Sequence, residues 1–168
     1  ITYSPPGQRL ATVRSDGTMQ LWKADTLTPL GGLMMAGIQL PDMPAFTLDG
    51  AQLVIGEKNG RVAFWDADRA ELIRRSPKVH TDEVTALAFA SKTSLMATAG
   101  KEGVIKFWDL PSRKPEGPAL GIPGGTCQDL AFTAKDRHLI CAGPGGLITT
   151  WDLYAATAQA MKKIINKA

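Results

Sequence analysis

The sequence predicts an all-β fold in which one short unit recurs four times along the chain. Three columns of residues recur with a spacing of 43 residues and without an insertion. A period of this length is that of one four-stranded blade of a β-propeller. The columns are Trp22, Trp65, Trp108 and Trp151; Gly17, Gly60, Gly103 and Gly146; and Tyr3, Phe46, Phe89 and Phe132.

The turn glycines predict a tight hairpin in each unit. A two-residue hairpin turn that matches the strand twist needs positive φ, which glycine accepts without a steric penalty. Asn-Gly and Asp-Gly are the strongest pairs of this kind, and Glu-Gly and Gly-Gly are weaker versions. The four pairs are Asp16-Gly17, Asn59-Gly60, Glu102-Gly103 and Gly145-Gly146.

The third unit shows the strand pattern most clearly. Strands are predicted at Val84–Phe89, Leu95–Ala99 and Val104–Trp108, separated by turns at Ala90–Ser94 and Lys101–Gly103. Short strands at intervals of 8–12 residues indicate a sandwich, a barrel or a propeller, and the fixed period favours the propeller.

A fourth strand is expected after each tryptophan. Leu72–Arg75 fits this role, whereas Leu30–Met35 and Pro115–Leu120 are weak strand candidates because of their glycines and prolines. No fourth strand is visible after Trp151, where the alanine-rich segment Ala155–Ala168 shows helical spacing and predicts a short amphipathic helix. The predicted division is four blades at about 1–35, 36–78, 79–121 and 122–153, and a helical tail or linker at 154–168.

Composition describes an ordinary globular protein. Of the 168 residues, 44% are hydrophobic and 21% are charged, and no apolar run approaches the ~20 residues that cross a bilayer. The net charge of +3 comes from Lys162, Lys163 and Lys167, without which basic and acidic residues balance. No basic face remains, so nucleic acid is not an expected partner.

The two cysteines are predicted to be buried thiols. Pairing outward from the turn at Ala134–Arg137 sets Cys141 opposite Leu130, which leaves Cys127 three residues away, roughly 10 Å along the strand. That distance is too long for a disulfide. Free thiols favour a reducing compartment such as the cytoplasm.

These residues resemble the WD-repeat β-propellers. The Trp-Asp pair that names the family is present in three units, and the first unit has Trp22-Lys23 instead. A histidine precedes the first strand of the third unit, in the phrase from Val79 to Val84. The resemblance implies a buried hydrogen-bonded set formed by His80, Thr98, Glu102 and Trp108, with Glu where the family usually has Asp.

The other units depart from this pattern. Gly37 and Pro123 replace the histidine, and Ile55 and Cys141 replace the hydroxyl. We expect apolar packing to hold these blades, with less rigidity. The resemblance also implies a ring of seven or eight blades. Three alternatives follow: more blades precede Ile1, another chain completes the ring, or the four visible blades close imperfectly.

No constellation in the sequence indicates catalysis. It contains no Gly-x-Ser-x-Gly phrase, no phosphate-binding glycine loop and no metal-spaced pair of His or Cys. Of the two histidines, His80 belongs to the structural set and His138 has no evident partner. We therefore expect no enzyme activity, no cofactor or metal, and no small-molecule substrate. An enzyme that uses a central channel is the alternative.

The loops at one rim are the predicted binding surface, because loops on a rigid scaffold are where binding residues accumulate. Their mixed charge suits a protein or peptide partner, and the resemblance implies a scaffold that assembles complexes. Two other readings are a recruiting module of a multidomain protein and a subunit that completes a ring with another chain. The rim residues are Lys58, Asn59, Arg61, Asp82, Glu83, Lys101 and Glu102.

Overall fold

The computed structural model describes residues 1–35 and 44–154, which form four antiparallel sheets in chain order. Each sheet is a simple up-and-down meander. Sheet 1 contains β1 (Thr2–Tyr3), β2 (Arg9–Val13), β3 (Thr18–Lys23) and β4 (Pro29–Met35); sheet 2 contains β5 (Ala45–Phe46), β6 (Gln52–Gly56), β7 (Val62–Asp66) and β8 (Glu71–Arg75).

Sheets 3 and 4 continue the pattern. The described part of sheet 4 has three strands, and the helix predicted for 155–168 lies outside the described residues. Within the described ranges, no helix is long and apolar enough to span a membrane. Sheet 3 contains β9 (Val84–Phe89), β10 (Leu95–Gly100), β11 (Val104–Asp109) and β12 (Lys114–Gly121); sheet 4 contains β13 (Asp129–Phe132), β14 (His138–Ala142) and β15 (Ile148–Asp152), with a 3₁₀ turn at Pro144–Gly146.

The hairpin glycines adopt the predicted conformation in all four sheets. Gly17, Gly60, Gly103 and Gly146 have φ between 79° and 85°, the left-handed region that favours glycine. The backbone conformation of the hairpin turn therefore repeats every 43 residues, as the sequence does.

The outermost strands β4 and β12 are more regular than the sequence indicated. β12 covers eight residues despite its two prolines. Both strands contain a bulge, and each bulge includes a glycine with positive φ, Gly31 at 63° and Gly117 at 78°. An edge strand tolerates proline and bulges because one side of it needs no hydrogen-bonded neighbour.

Consecutive sheets pack face to face through apolar cores. One core joins sheets 1 and 2, a second joins sheets 2 and 3, and a third joins sheets 3 and 4. Trp65, Trp108 and Trp151 each pack toward the preceding sheet, so they occupy equivalent positions. Phe64 meets Trp108 edge to face across the second core, with ring centroids 6.1 Å apart.

Polar contacts also join neighbouring sheets. Arg9 of sheet 1 reaches the Asp68 carboxylate and, at 3.2 Å, the carbonyl of Gly50 in sheet 2. Arg113 of sheet 3 donates through Nε to Gln52 Oε1 of sheet 2 at 3.0 Å. Each pair therefore fixes the relative position of two consecutive sheets.

The prediction of two free thiols is wrong, because Cys127 and Cys141 form a disulfide with their Cα atoms 5.7 Å apart. The register was predicted correctly, since Leu130 pairs with Cys141. The strand begins only at Asp129, however, and the preceding segment turns back so that Cys127 lies beside Cys141. The argument for a reducing compartment is therefore lost.

Asp136 connects sheet 4 to sheet 3 from a strained backbone position. Its φ is 53°, and Gly7 and Gly50 have similar φ values at the equivalent positions of units 1 and 2. The buried carboxylate accepts hydrogen bonds from the backbone N–H groups of Ser91 at 2.8 Å and Lys92 at 2.6 Å. These bonds to a charged acceptor offset the cost of the left-handed backbone.

We predict that Asp136→Ala lowers the free energy of unfolding by about 2–3 kcal/mol, because the charged acceptor is lost while the strained backbone remains. Asp136→Gly is the matched control, and we expect it to cost about 1 kcal/mol less because glycine tolerates this φ. Urea denaturation measures both variants. If both variants lose the same free energy of unfolding, backbone strain at position 136 does not contribute. If neither variant is destabilised, the hydrogen bonds between Asp136 and sheet 3 do not stabilise the fold.

Candidate functional site

A buried hydrogen-bonded chain crosses sheet 3. His80, which precedes β9, places Nδ1 2.6 Å from Glu102 Oε1 and Nε2 2.8 Å from Thr98 Oγ1. Trp108 Nε1 donates to the same Thr98 oxygen at 2.9 Å. His80, Thr98 and Trp108 have no exposed surface. The four residues that the resemblance groups together are thus in direct contact.

The order of donors in this chain determines the histidine tautomer. Nδ1 faces a carboxylate oxygen and must carry the proton, so Nε2 is an acceptor in the neutral ring. Thr98 then donates its hydroxyl proton to Nε2 and accepts from the indole of Trp108. Burial lowers the pKa of His80, and the hydrogen bond to Glu102 offsets part of that decrease. Neutral His80 therefore suits a fold-stabilising role.

Gly100 makes room for this chain. A Cβ atom at that position would lie 2.0 Å from Glu102 Oε2 and 2.3 Å from His80 Nδ1. Sequence reasoning did not select Gly100. The sequence did contain a signal for Gly100. Position 102 has Glu where the resembled family usually has Asp, and the longer Glu side chain needs space beside it.

The tryptophans find different partners at one repeated position. Trp22 Nε1 donates to Thr12 Oγ1 at 2.9 Å, as Trp108 does to Thr98. The equivalent residue in sheet 2 is Ile55, which offers no acceptor, and within the described residues the buried Trp65 Nε1 has no hydrogen-bond partner. An unpaired buried N–H costs stability, so sheet 2 relies on apolar packing at this point.

The Asp of the Trp-Asp pair caps the turn after the third strand of its sheet. Asp66 Oδ1 accepts from the backbone N–H groups of Asp68 and Arg69, both at 2.9 Å. These bonds, chiefly that from Arg69, lower the pKa of Asp66. Asp109 Oδ2 accepts from Ser112 N in the same way. The pair therefore sets the connection to the outermost strand.

Asn59, Arg61 and Glu102 of the rim set use their polar groups within the fold. Asn59 accepts from the Arg61 N–H at 3.0 Å and donates to Glu57, and the Arg61 guanidinium donates to the Ser76 carbonyl at 3.0 Å. Glu102 bonds to His80 as described above. The hydrogen bonds of these residues therefore stabilise the loops of the rim.

The remaining rim residues are more accessible. Glu83 and Lys101 form an ion pair of 3.5 Å, and the Lys101 side chain is 55% exposed. Lys58 and Asp82 are exposed on neighbouring loops. The structure thus brings Glu83 and Lys101 together, and places Lys58 and Asp82 in separate loops.

A cavity of about 970 Å³ opens beside the Glu83–Lys101 pair. Residues from β1, β5 and β9 and from the segment that leads into β13 surround it, so all four sheets contribute to its wall. Sequence reasoning selected the rim but not the polar groups of this wall, because the turn back at Cys127 that brings several of them there has no sequence signal. The wall residues outside the rim set include Thr2, Thr85, Thr126, Gln128 and Asp129.

Within residues 1–35 and 44–154, no group of three or more His, Cys, Asp or Glu is placed to hold a metal ion. His80 is fully buried, and His138 lies 3.8 Å from Asp152 Oδ2 on sheet 4. Neither histidine lines the cavity. The charged groups at the cavity, Glu83, Lys101 and Asp129, are suited to bind a polar partner.

An all-β chain of repeated four-stranded sheets with this geometry is typical of WD-repeat proteins. Residues 73–109 match the family model described as WD domain, G-beta repeat, which confirms the resemblance drawn from the sequence. The match begins within β8 of sheet 2 and ends with β11 of sheet 3. No curated protein matches the chain. WD repeats are in general non-catalytic modules that bind protein partners.

We predict that His80 makes stability depend on pH. The pKa of His80 is lower in the folded chain than its ordinary value of 6.5, so the unfolded chain takes up the proton first as the pH falls. The free energy of unfolding should therefore decrease below about pH 6.5. His80→Gln should remove this dependence and cost about 1–3 kcal/mol at neutral pH.

Chemical denaturation across this pH range measures the effect. His138→Gln is the matched control, because it replaces the other histidine and should keep the dependence on pH. The same slope in His80→Gln as in the unchanged chain would contradict the prediction.

A second prediction concerns Ile55. Ile55→Thr places a hydroxyl where Thr12 and Thr98 accept from their tryptophans, so Trp65 Nε1 should gain a partner. Ile55→Val has nearly the same shape without the hydroxyl. We expect Ile55→Thr to be at least as stable as Ile55→Val in urea denaturation, although a buried hydroxyl ordinarily costs about 1–3 kcal/mol. A clear loss in Ile55→Thr relative to Ile55→Val would show that no such bond forms.

Proposed function

We propose that the chain is a non-enzymatic platform that binds a protein or peptide partner at the rim and uses this contact to assemble a complex. The observation that carries the proposal is the cavity of about 970 Å³ with the Glu83–Lys101 pair beside it. Four sheets meet at this cavity, so a partner segment inserted there contacts several rigid elements at once. The WD-repeat match supports an interaction module in general.

The rim offers charge of both signs for such a partner. The Lys101 and Asp82 side chains are exposed, and Lys101 and Glu83 both line the cavity. Lys58 extends the surface onto the hairpin of sheet 2. We assign direct contact to these four residues, and assign to Asn59, Arg61 and Glu102 the support of the loops that present them.

Sheets 1 and 4 each expose side chains on one face. Phe64 and Phe107 are buried against the following sheet, whereas Thr150, at the equivalent position of sheet 4, is exposed. Tyr3 of sheet 1 and Ile148 of sheet 4 are also largely exposed. We propose that these faces are covered in a larger ring of seven or eight blades. The additional blades come from the same polypeptide, as in a recruiting module of a multidomain protein, or from another chain.

Affinity capture from the native source tests the rim proposal when the rim charges are varied. Lys101→Glu and Glu83→Lys should each lose proteins that the unchanged chain captures, because the partner meets a reversed charge beside the cavity. Lys135→Glu is the matched control, since Lys135 is an exposed lysine on the turn between β13 and β14, at the opposite ends of the strands.

Capture that is identical in all variants would contradict the assignment of binding to the rim. Sedimentation of the same samples distinguishes the ring alternatives. A ring completed by a second copy requires a mass of about twice 18.0 kDa.

A further inference from the structure

The exposed large apolar side chains fall into two groups. Most of them belong to sheets 1 and 4, each of which has one neighbouring sheet in the described part of the chain. Leu48, Leu72 and Ile73 are different because they belong to sheet 2, which packs against a sheet on both sides. Leu48 lies on the turn between β5 and β6, whereas Leu72 and Ile73 are adjacent in one strand and remain 41% and 42% exposed. Additional blades beside sheets 1 and 4 would therefore not explain their exposure.

Strand β8 presents these two residues together. All five of its residues are exposed. Trp65 pairs with Leu72 and Phe64 pairs with Arg74, so Ile73 is the additional residue of a β-bulge. A bulge redirects the side chains next to it and is often found near functional positions. Here the bulge gives the outer edge of sheet 2 two adjacent apolar side chains.

The edge of β8 differs from those of the corresponding strands in its residue types. β4 contains Gly31 and Gly32, and β12 contains prolines and Gly117, residues that discourage pairing with another strand. β8 contains neither glycine nor proline. Within the described residues it pairs with β7 on one side, and its other side hydrogen-bonds to no strand. Its outer main-chain groups are therefore accessible to an extended segment.

The charge around this edge is mainly positive. The side chains of Arg74 and Lys78 are exposed and make no hydrogen bond or ion pair within the described ranges. Arg75 is already neutralised by the buried Glu57, at 2.5 Å. Glu71 is the acidic residue of the strand and lies at its opposite end from Lys78. The two unpaired cations therefore favour an acidic partner.

We propose that Leu72, Ile73, Arg74 and Lys78, here called the outer-strand patch, bind an extended protein segment that alternates acidic and apolar side chains. The apolar side chains of that segment cover Leu72 and Ile73, and its carboxylates pair with Arg74 and Lys78. Its main chain hydrogen-bonds to the open edge of β8, as in β-strand addition. None of the four residues lines the cavity, so this is a second interaction surface of the platform.

Fluorescence anisotropy on the 168-residue chain tests the proposal. The probe is a fluorescein-labelled synthetic peptide of alternating Asp and Leu, and a peptide of alternating Lys and Leu serves as the opposite-charge control. We expect the acidic peptide to bind and the basic peptide not to bind, with binding that weakens as salt increases. Arg74→Glu combined with Lys78→Glu should weaken binding at least about tenfold.

Matched controls localise the contact. Lys114→Glu changes an exposed lysine of β12, and Leu33→Asp changes an exposed leucine of β4, so both should leave binding unchanged. Ile73→Asp should abolish binding, whereas Lys101→Glu at the rim should not affect it. Thermal unfolding verifies that each variant is folded, and Arg74→Gln with Lys78→Gln replaces the charge reversal if that variant unfolds.

Three results would overturn the proposal. The first is equal affinity for the acidic and basic peptides, and the second is an affinity that the patch variants leave unchanged. The third is self-association that Ile73→Asp abolishes, because the patch would then be occupied by a second copy of the chain. The proposal also predicts that the rim variants lose partner capture but bind the acidic peptide normally. That result would show that the rim and the outer-strand patch bind independently.

Discussion

The architecture depends on the alternation of side chains along the third strand of each sheet. Adjacent residues of a strand point to opposite faces, so the residue before each tryptophan faces the following sheet while the tryptophan faces the preceding one. Phe64 and Trp65 serve the two cores on either side of sheet 2, and Phe107 and Trp108 do the same for sheet 3. Sheets 2 and 3 therefore each contribute a large side chain to both of their interfaces. A one-residue slip of register would exchange these faces and separate the sheets.

This constraint explains why so much of the fold was predictable from the sequence. The period places tryptophans, turn glycines and strands in equivalent positions, and the predicted β9 coincides with the observed Val84–Phe89. The buried chain from His80 to Trp108 was accessible for the same reason, because the resemblance aligned its four residues. Local pattern and tertiary packing agree at these positions, as expected of a sequence that specifies one structure.

The errors occur where the backbone departs from regular strand geometry. The disulfide was missed because a uniform rise per residue places Cys127 too far along the strand, whereas the chain turns back before β13 begins. The sequence analysis treated β12 as a weak strand, but its bulge accommodates Gly117 and Pro118, and Pro115 pairs regularly with Trp108. At the rim, the sequence indicated which residues lie near each other but not which polar groups are already bonded, as for Arg61 and Ser76. Such pairings depend on side-chain direction, which spacing alone does not determine.

One column of the repeat shows how a uniform scaffold accommodates local differences. Thr12, Ile55, Thr98 and Cys141 occupy the same repeat position on the second strand of their sheets. Thr12 and Thr98 accept a hydrogen bond from a tryptophan, Ile55 packs in the apolar core, and Cys141 forms the disulfide. The disulfide of sheet 4 is the strongest of these interactions, and its other cysteine, Cys127, lines the cavity. That stretch of wall is consequently cross-linked to the second strand of its own blade, so its shape is less dependent on the surrounding hydrogen bonds.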